Sequence, residues 1–174
     1  MEELIELEAR QDSDLSNRSF DRLKLPLDNL DLYETDFYQW TQVQATLLRQ
    51  GAWTSLDLEN LAEEIGSLGK QQKQELRNCL GVLIGHLLKW DYQPELRSKS
   101  WKATIWEQRE QILDILQDNP SLKPYLEEAI HKGFRLGISL VLRETPLEFD
   151  ALPKECPYAI AQILNLHFPE GIDL

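Results

Sequence analysis

Residues 57–91, DLENLAEEIGSLGKQQKQELRNCLGVLIGHLLKWD, decide the fold class of this chain. Their apolar side chains keep the three- and four-residue spacing of one helical face from end to end. The residues of that stripe are Leu58, Leu61, Ile65, Leu68, Leu76, Cys79, Leu83 and Trp90. The phase continues past Gly66 and Gly69, although a glycine costs about 1 kcal/mol relative to alanine inside a helix. The spacing therefore predicts one long helix, bent at the glycines, with its apolar stripe buried.

Three further long helices are predicted around this one. Capping residues mark their starts at Thr35, at Ser98 or Ser100, and at Ser121, and Gly51 marks the end of the first. A last short helix is predicted after residue 157, and no segment alternates like a strand. The expected fold is therefore all-α, a helical bundle of four main helices plus short accessory helices, with no sheet.

Charge and composition divide the chain and exclude several functions. Residues 1–32 are acidic and lack a sustained apolar period, which predicts a weakly ordered N-terminal arm followed by a single helical domain over residues 33–174. The net charge of −12 argues against nucleic-acid binding, and no apolar run is long enough to cross a membrane. Two isolated cysteines and an acidic first segment without an export signal favour a cytoplasmic location.

Small residues recur four apart on two of the predicted helices. Gly81 and Gly85 lie on one, and Ala129, Gly133 and Gly137 lie on the other. Such strips let two backbones approach closely, and close packing is the interpretation that we favour. The alternative is a groove that admits a ligand.

His86 and Glu64 are candidate functional or buried polar residues on the long helix. His86 falls beside the apolar stripe, which favours a half-buried core histidine over a catalytic base or ligand. Glu64 borders the same stripe, so we expect an ion pair or hydrogen bond at a helix interface rather than catalysis. In a continuous helix about 33 Å would separate the two residues, which argues against a shared acid–base site.

Four more candidates lie on or near the third and fourth helices. Arg109 projects among apolar residues and needs a partner, for which Glu64 and Glu144 are the acids that we consider; the alternative is an anion site. Arg97 and Trp101 lie where basic and aromatic residues interleave, a pattern that either closes the bundle end or stacks ligands and bases.

Metal chemistry has little support in the sequence. Glu128 and His131 have the Glu-x-x-His spacing of carboxylate-bridged metal sites in bundles, which need two such motifs, and only one is present. Their projected position away from the apolar face indicates a solvated face instead. We therefore expect no metal and no cofactor.

Several separated motifs together resemble a known bacterial family, domain-of-unknown-function family 29. They are YETDFYQW at residues 33–40, LDLENLAEEI at residues 56–65, HLLKW at residues 86–90 and CPY at residues 156–158. The resemblance covers about residues 33–169 and implies an all-helical domain common in cyanobacteria. It implies no activity, cofactor or catalytic residue.

The sequence favours a non-catalytic protein-interaction or regulatory module over an enzyme, because no complete catalytic constellation is visible. Its expected partner is another protein, bound by the acidic helical surface, and self-association into a homo-oligomer is compatible with the pattern. The alternative function is a small-ligand-binding protein or enzyme with a site near His86 and Arg109. That alternative requires the two side chains to converge in one polar pocket.

Overall fold

A computed structural model describes residues 29–169 of the chain. Within this range the α-helices are α1 Asn29–Thr35, α2 Phe37–Gln50, α3 Leu58–Tyr92, α4 Lys99–Asp118, α5 Leu126–Glu144 and α6 Ile160–Ile163, and no residue in it forms a strand. The prediction of an all-α fold with four main helices and short accessory ones is confirmed for the described range. The predicted arm lies outside that range up to residue 28, so the domain boundaries stay a prediction.

The start and end of α2 follow ordinary capping chemistry. The side chain of Asp36 accepts a hydrogen bond from the backbone N–H of Gln39 at 3.0 Å. The predicted cap, Thr35, is therefore wrong by one residue, because Thr35 itself ends α1. Gly51 ends α2 as predicted, in the left-handed conformation with φ of 69°, which favours glycine.

A side-chain cap begins α4, whereas a 3-10 turn precedes α5. Ser98 caps α4, since its hydroxyl oxygen accepts from the backbone N–H of Trp101 at 3.3 Å. Ser121 does not cap α5. It lies in a 3-10 turn, Pro120–Tyr125, and α5 begins at Leu126. The ring of Pro124 disfavours helical geometry at the residue before it, which delays the α-helix.

Two compact units divide at residue 64, inside α3. The first unit is organised around Asp57, which precedes α3. The indole Nε1 of Trp40 donates to the Asp57 carboxylate at 3.0 Å, and the backbone N–H of Asp57 donates to the side chain of Gln44 at 3.0 Å. Burial alone would raise the pKa of Asp57, but hydrogen bonds from Asn60 and Trp40 outweigh it and lower the pKa. Asp57 thus ties α2 to the start of α3.

The second unit contains a continuous apolar core built from α3, α4, α5 and α6. On α3 the buried residues begin at Leu76. Gly81 and Gly85 face Gly133 and Gly137 so closely that a Cβ on Gly137 would come within 2.9 Å of the backbone nitrogen of Gly85. The predicted close contact between these two helices is confirmed.

The first half of α3 does not bury its apolar stripe. Leu58, Ile65 and Leu68 are 65%, 66% and 61% exposed, and Leu61 is half-buried. The prediction of a buried stripe is wrong for these three residues and right from Leu76 onward. Periodicity fixes which side chains share a face but does not fix whether another element covers that face.

Candidate functional site

A polar cluster forms where α3, α4 and α5 meet in the second unit. Lys89 is buried in the second half of α3, and its ammonium donates to a carboxylate oxygen of Glu144 at 2.7 Å. The same nitrogen lies 4.4 Å from the ring centroid of Trp101. The hydrogen bond from Lys89 holds the pKa of Glu144 below its usual range. Two sequence candidates, Trp101 and Glu144, therefore meet through a lysine.

His86 lies one turn before Lys89 and is half-buried. Its Nδ1 donates to the backbone carbonyl of Val82 at 2.9 Å, which leaves Nε2 as the acceptor of the neutral ring. Burial lowers the pKa of His86, and the charge of Lys89 adds to that effect, while the Val82 bond and Glu144 oppose it. The imidazole is therefore mainly neutral at pH 7.

His86 should make folding stability depend on pH. Because its pKa is lower in the folded chain than in the unfolded one, the unfolded chain binds more protons. We expect the free energy of unfolding to decrease as pH falls below about 6.5, the unperturbed histidine value, and to level off below the folded pKa. Urea titrations between about pH 5 and 7 should reveal this slope, and His86→Gln should remove it.

The same substitution also shows how this assignment could be contradicted. A slope unchanged in His86→Gln would contradict the assignment of the buried titrating group to His86.

Arg109 belongs to a different part of the second unit. It is 1% exposed, and its Nε donates to the backbone carbonyl of Ile163 at 2.8 Å, while Nη2 lies 3.5 Å from the carbonyl oxygen of Gln162. Burial lowers its pKa to about 10, so it stays charged at neutral pH. Neither acid considered from the sequence accepts these hydrogen bonds. Glu144 pairs with Lys89, and Glu64 accepts from Tyr33.

The structure therefore does not join His86 and Arg109 through a common hydrogen-bond partner within residues 29–169. His86 lies with Lys89 and Glu144, and Arg109 lies against the carbonyl oxygens of α6. These hydrogen bonds from a charged side chain to helix carbonyl oxygens are a tertiary contact that stabilises α6. This arrangement is consistent with a structural role for Arg109.

Arg97 packs against one tryptophan. Its Nε donates to the backbone carbonyl of Trp90 at 2.9 Å, and its guanidinium carbon lies 4.8 Å from the Trp90 ring centroid. The ammonium of Lys102 lies 5.8 Å from the same centroid. These cations occupy the neighbourhood of the indole that a stacked base or ligand would need.

Glu64 forms a contact in the first unit. Its Oε1 accepts from the Tyr33 hydroxyl at 2.7 Å, and this bond raises the pKa of Tyr33 to about 12. The interpretation of Glu64 as a hydrogen-bonding residue at a helix interface matches this geometry. This hydrogen bond connects α1 to α3.

Lys89 is the polar residue that the sequence interpretation missed. It follows Leu87 and Leu88, in the part of α3 where the glycine strip and the apolar stripe face opposite sides. A helix covered on two sides leaves no wide water-facing strip, so a lysine there needs an acidic partner within reach. The sequence therefore indicates that Lys89 needs an acidic partner. Which acid pairs with it depends on how α5 is rotated against α3.

Metal ligands do not cluster in the part of the chain that the structure describes. Residues 29–169 contain no group of three or more His, Cys, Asp or Glu side chains placed to hold an ion. Glu128 instead pairs with Lys132 at 2.6 Å, one turn along α5. Among these residues, no helix combines the length and apolar character required to cross a membrane.

A surface groove of about 670 Å³ runs along α5. Ile130, Phe134 and Ile138 are among its apolar lining residues, and neither His86 nor Arg109 lines it. The groove is therefore separate from both buried polar arrangements.

The comparisons with known proteins give one result. Residues 32–169 match a family model described as "Domain of unknown function DUF29". No curated protein and no solved structure gives a match. The matched range contains α2 to α6 in full and agrees with the resemblance found from the separated motifs.

Proposed function

Since the chain belongs to the DUF29 family, a family whose own description assigns no activity, we propose from its geometry that it is a non-catalytic protein-interaction module. The binding surface is the exposed face of the first half of α3. The observation that carries the proposal is the exposure of Leu58, Ile65 and Leu68 on a helix that buries no residue before Leu76. The sequence alone favoured an acidic surface, and the apolar face is the better-supported binding site.

An exposed helix of this kind needs an explanation in energetic terms. Residues 58–75 span about 27 Å, contain two glycines and bury no side chain fully. Helices in proteins owe most of their stability to packing of an apolar face, and a contiguous exposed apolar face is typical of a binding site. A protein partner that covers this face would supply the missing burial.

The pairing of the two buried cations supports an interaction module rather than an enzyme. Lys89 pairs with the exposed carboxylate of Glu144, and Arg109 is held by backbone carbonyl oxygens. A catalytic group must instead reach a substrate, in a cleft where acid, base and binding groups converge.

Site-specific photocrosslinking tests the proposed surface. We would place p-benzoylphenylalanine at Leu68, irradiate both the purified protein and its native lysate, and identify adducts by mass spectrometry. We expect a protein adduct that disappears when Ile65→Lys is added. The matched control carries the crosslinker at Gln71, an exposed residue about 60° from Leu68 around α3 on its polar side. Absence of any adduct specific to Leu68 would overturn the proposal.

A further inference from the structure

A pocket of about 490 Å³ lies in the second unit, where α3 passes the connection between α4 and α5. The lining residues that carry the argument are Gly66, Gly69, Lys70 and Lys73 from α3 and Asn119 and Ser121 from the connection. The volume falls in the range of small-molecule sites, and neither His86 nor Arg109 lines the pocket. It is therefore separate from the buried polar residues described above.

Two glycines form part of the wall of this pocket. A Cβ at Gly66 or Gly69 would meet no atom within 4 Å, whereas a Cβ at Gly81 or Gly85 would crowd α5. Packing against the rest of the described chain therefore does not require glycine at residues 66 and 69, although glycine is unfavourable inside a helix. Larger side chains at these two positions would occupy pocket space. The glycines thus keep the pocket open.

Positive charge dominates the lining of this pocket. Among the described residues that line it, Lys70 and Lys73 are charged and none is acidic. The two lysines lie three residues apart, so they share one face of α3 and repel each other. Within residues 29–169, neither ammonium forms an ion pair with a carboxylate. An anion in the pocket would relieve this repulsion, and salt screens the more distant acids of the chain beyond about 10 Å.

The neighbours of Lys73 hold it in place without neutralising it. Its ammonium lies 4.8 Å from the ring centroid of Tyr125, a cation–π contact that leaves the charge intact. A hydrogen bond from Lys132 lowers the pKa of Glu128, and the charge of Lys73 adds to that effect. The Glu128 carboxylate nevertheless lies 2.6 Å from the Lys132 ammonium and does not line the pocket. Lys73 is therefore free to contact a ligand.

Polar groups supply further donors beside the lysines. The Ser121 hydroxyl can donate to an anion. The Asn119 Nδ2 donates to the carbonyl oxygen of Ile115 at 3.1 Å and lies 3.5 Å from the Gln72 Oε1, which leaves the Gln72 Nε2 as a donor. A phosphate monoester carries close to two negative charges at neutral pH and presents three acceptor oxygens. Two ammonium groups, a hydroxyl and an amide match that set, since lysine binds phosphate as a point charge.

We propose that this pocket binds the phosphate group of a small phosphate monoester, with Lys70 and Lys73 as the cations and the Ser121 hydroxyl as a further donor. The rest of the ligand lies over the helix surface that Gly66 and Gly69 leave bare. This site goes beyond the interaction function and does not rest on it. At about 100° per residue, Leu68 lies about 160° around α3 from Gly66, so the crosslinker position and the pocket are on different sides of the helix.

Nuclear magnetic resonance of the isotope-labelled full chain tests the site, with phenyl phosphate as the probe and the ionic strength held constant. The amide signals of Gly66 and Gly69 should shift and saturate with a Kd at or below about 1 mM, and inorganic phosphate should compete. The amides of Gly81 and Gly85, which pack against α5, should not shift and serve as internal controls. The absence of a saturable shift at Gly66 and Gly69 up to about 20 mM probe would overturn the proposal.

Three variants test the residues of the site. Lys70→Gln should raise the Kd about 10-fold, because it removes one of the two cations. Gly69→Leu should raise it by about 10-fold or more, because its side chain fills pocket space while its Cβ meets no atom of the chain. Lys154→Gln removes an exposed lysine that lines the groove along α5 and should leave the Kd within about two-fold.

Far-ultraviolet circular dichroism should show unchanged helix content in all three variants. A Kd that neither Lys70→Gln nor Gly69→Leu changes would overturn the pocket as the binding site. An equal rise in Lys154→Gln and Lys70→Gln would also overturn it, because binding would then follow the overall charge of the chain rather than this pocket.

Discussion

Replacing Arg109 by alanine is expected to lower the free energy of unfolding by about 3 kcal/mol or more. The side chain is 1% exposed, and its guanidinium donates to the carbonyl oxygen of Ile163 at 2.8 Å. Hydrogen bonds that involve a charged group contribute about 1.5–3 kcal/mol, and removal of a buried side chain of this size leaves a cavity as well. Urea unfolding followed by circular dichroism would measure the loss.

Arg109→Met separates the two contributions to this effect. Methionine retains most of the buried stem and removes the donors, so its loss should be smaller than that of Arg109→Ala. Amide exchange near Ile163 should accelerate in both variants, because α6 loses its contact with α4. Stability within about 0.5 kcal/mol of the wild type in Arg109→Ala, combined with lost binding of an anion, would refute the structural role and revive the anion-site interpretation.

Gly137→Ala should destabilise the chain by about 2 kcal/mol, even though alanine is the better helix former. Its Cβ would lie 2.9 Å from the backbone nitrogen of Gly85 and 3.0 Å from the carbonyl oxygen of Gly81. These are backbone atoms of a packed helix, which cannot move aside as a flexible side chain can, so α3 and α5 must separate. Chemical denaturation at a fixed, low protein concentration would measure the change.

Gly69→Ala is the matched control for this substitution. Its Cβ would meet nothing within 4 Å, so the gain in helix propensity of about 0.5–1 kcal/mol should appear undiminished in the monomer. The two substitutions are chemically identical and should have opposite signs. A stabilising effect of Gly137→Ala would contradict the close contact between α3 and α5.

Local patterns were sufficient for the helices themselves. The phase of α3 survives Gly66 and Gly69, and the structure has one helix from Leu58 to Tyr92, as the spacing predicted. Errors at helix starts have local causes as well. Asp36 rather than Thr35 caps α2, because its carboxylate accepts a hydrogen bond from the Gln39 amide. The expected first turn of α5 is a 3-10 turn that contains Pro124.

Local sequence patterns did not predict the partners of the candidate polar residues. The sequence identified Arg109 as a side chain that needs a partner and Glu144 as one candidate acid for it, but the two do not pair. Arg109 instead donates hydrogen bonds to backbone carbonyl oxygens, and Glu144 forms an ion pair with Lys89. Any acid or carbonyl within reach satisfies a buried cation, so the choice depends on the rotation and register of packed helices.

The sequence by itself determined the helices, the face on which each apolar side chain lies and the glycine strips that allow α3 and α5 to touch. These properties depend on residues close together along the chain, whose geometry is set by the 3.6-residue helical repeat. Only the tertiary structure decided that Leu76 is buried while Ile65 is exposed, and that Lys89 rather than Arg109 holds Glu144. Burial and pairing between distant segments depend on which surfaces meet in space, and the helical repeat carries no information about that choice.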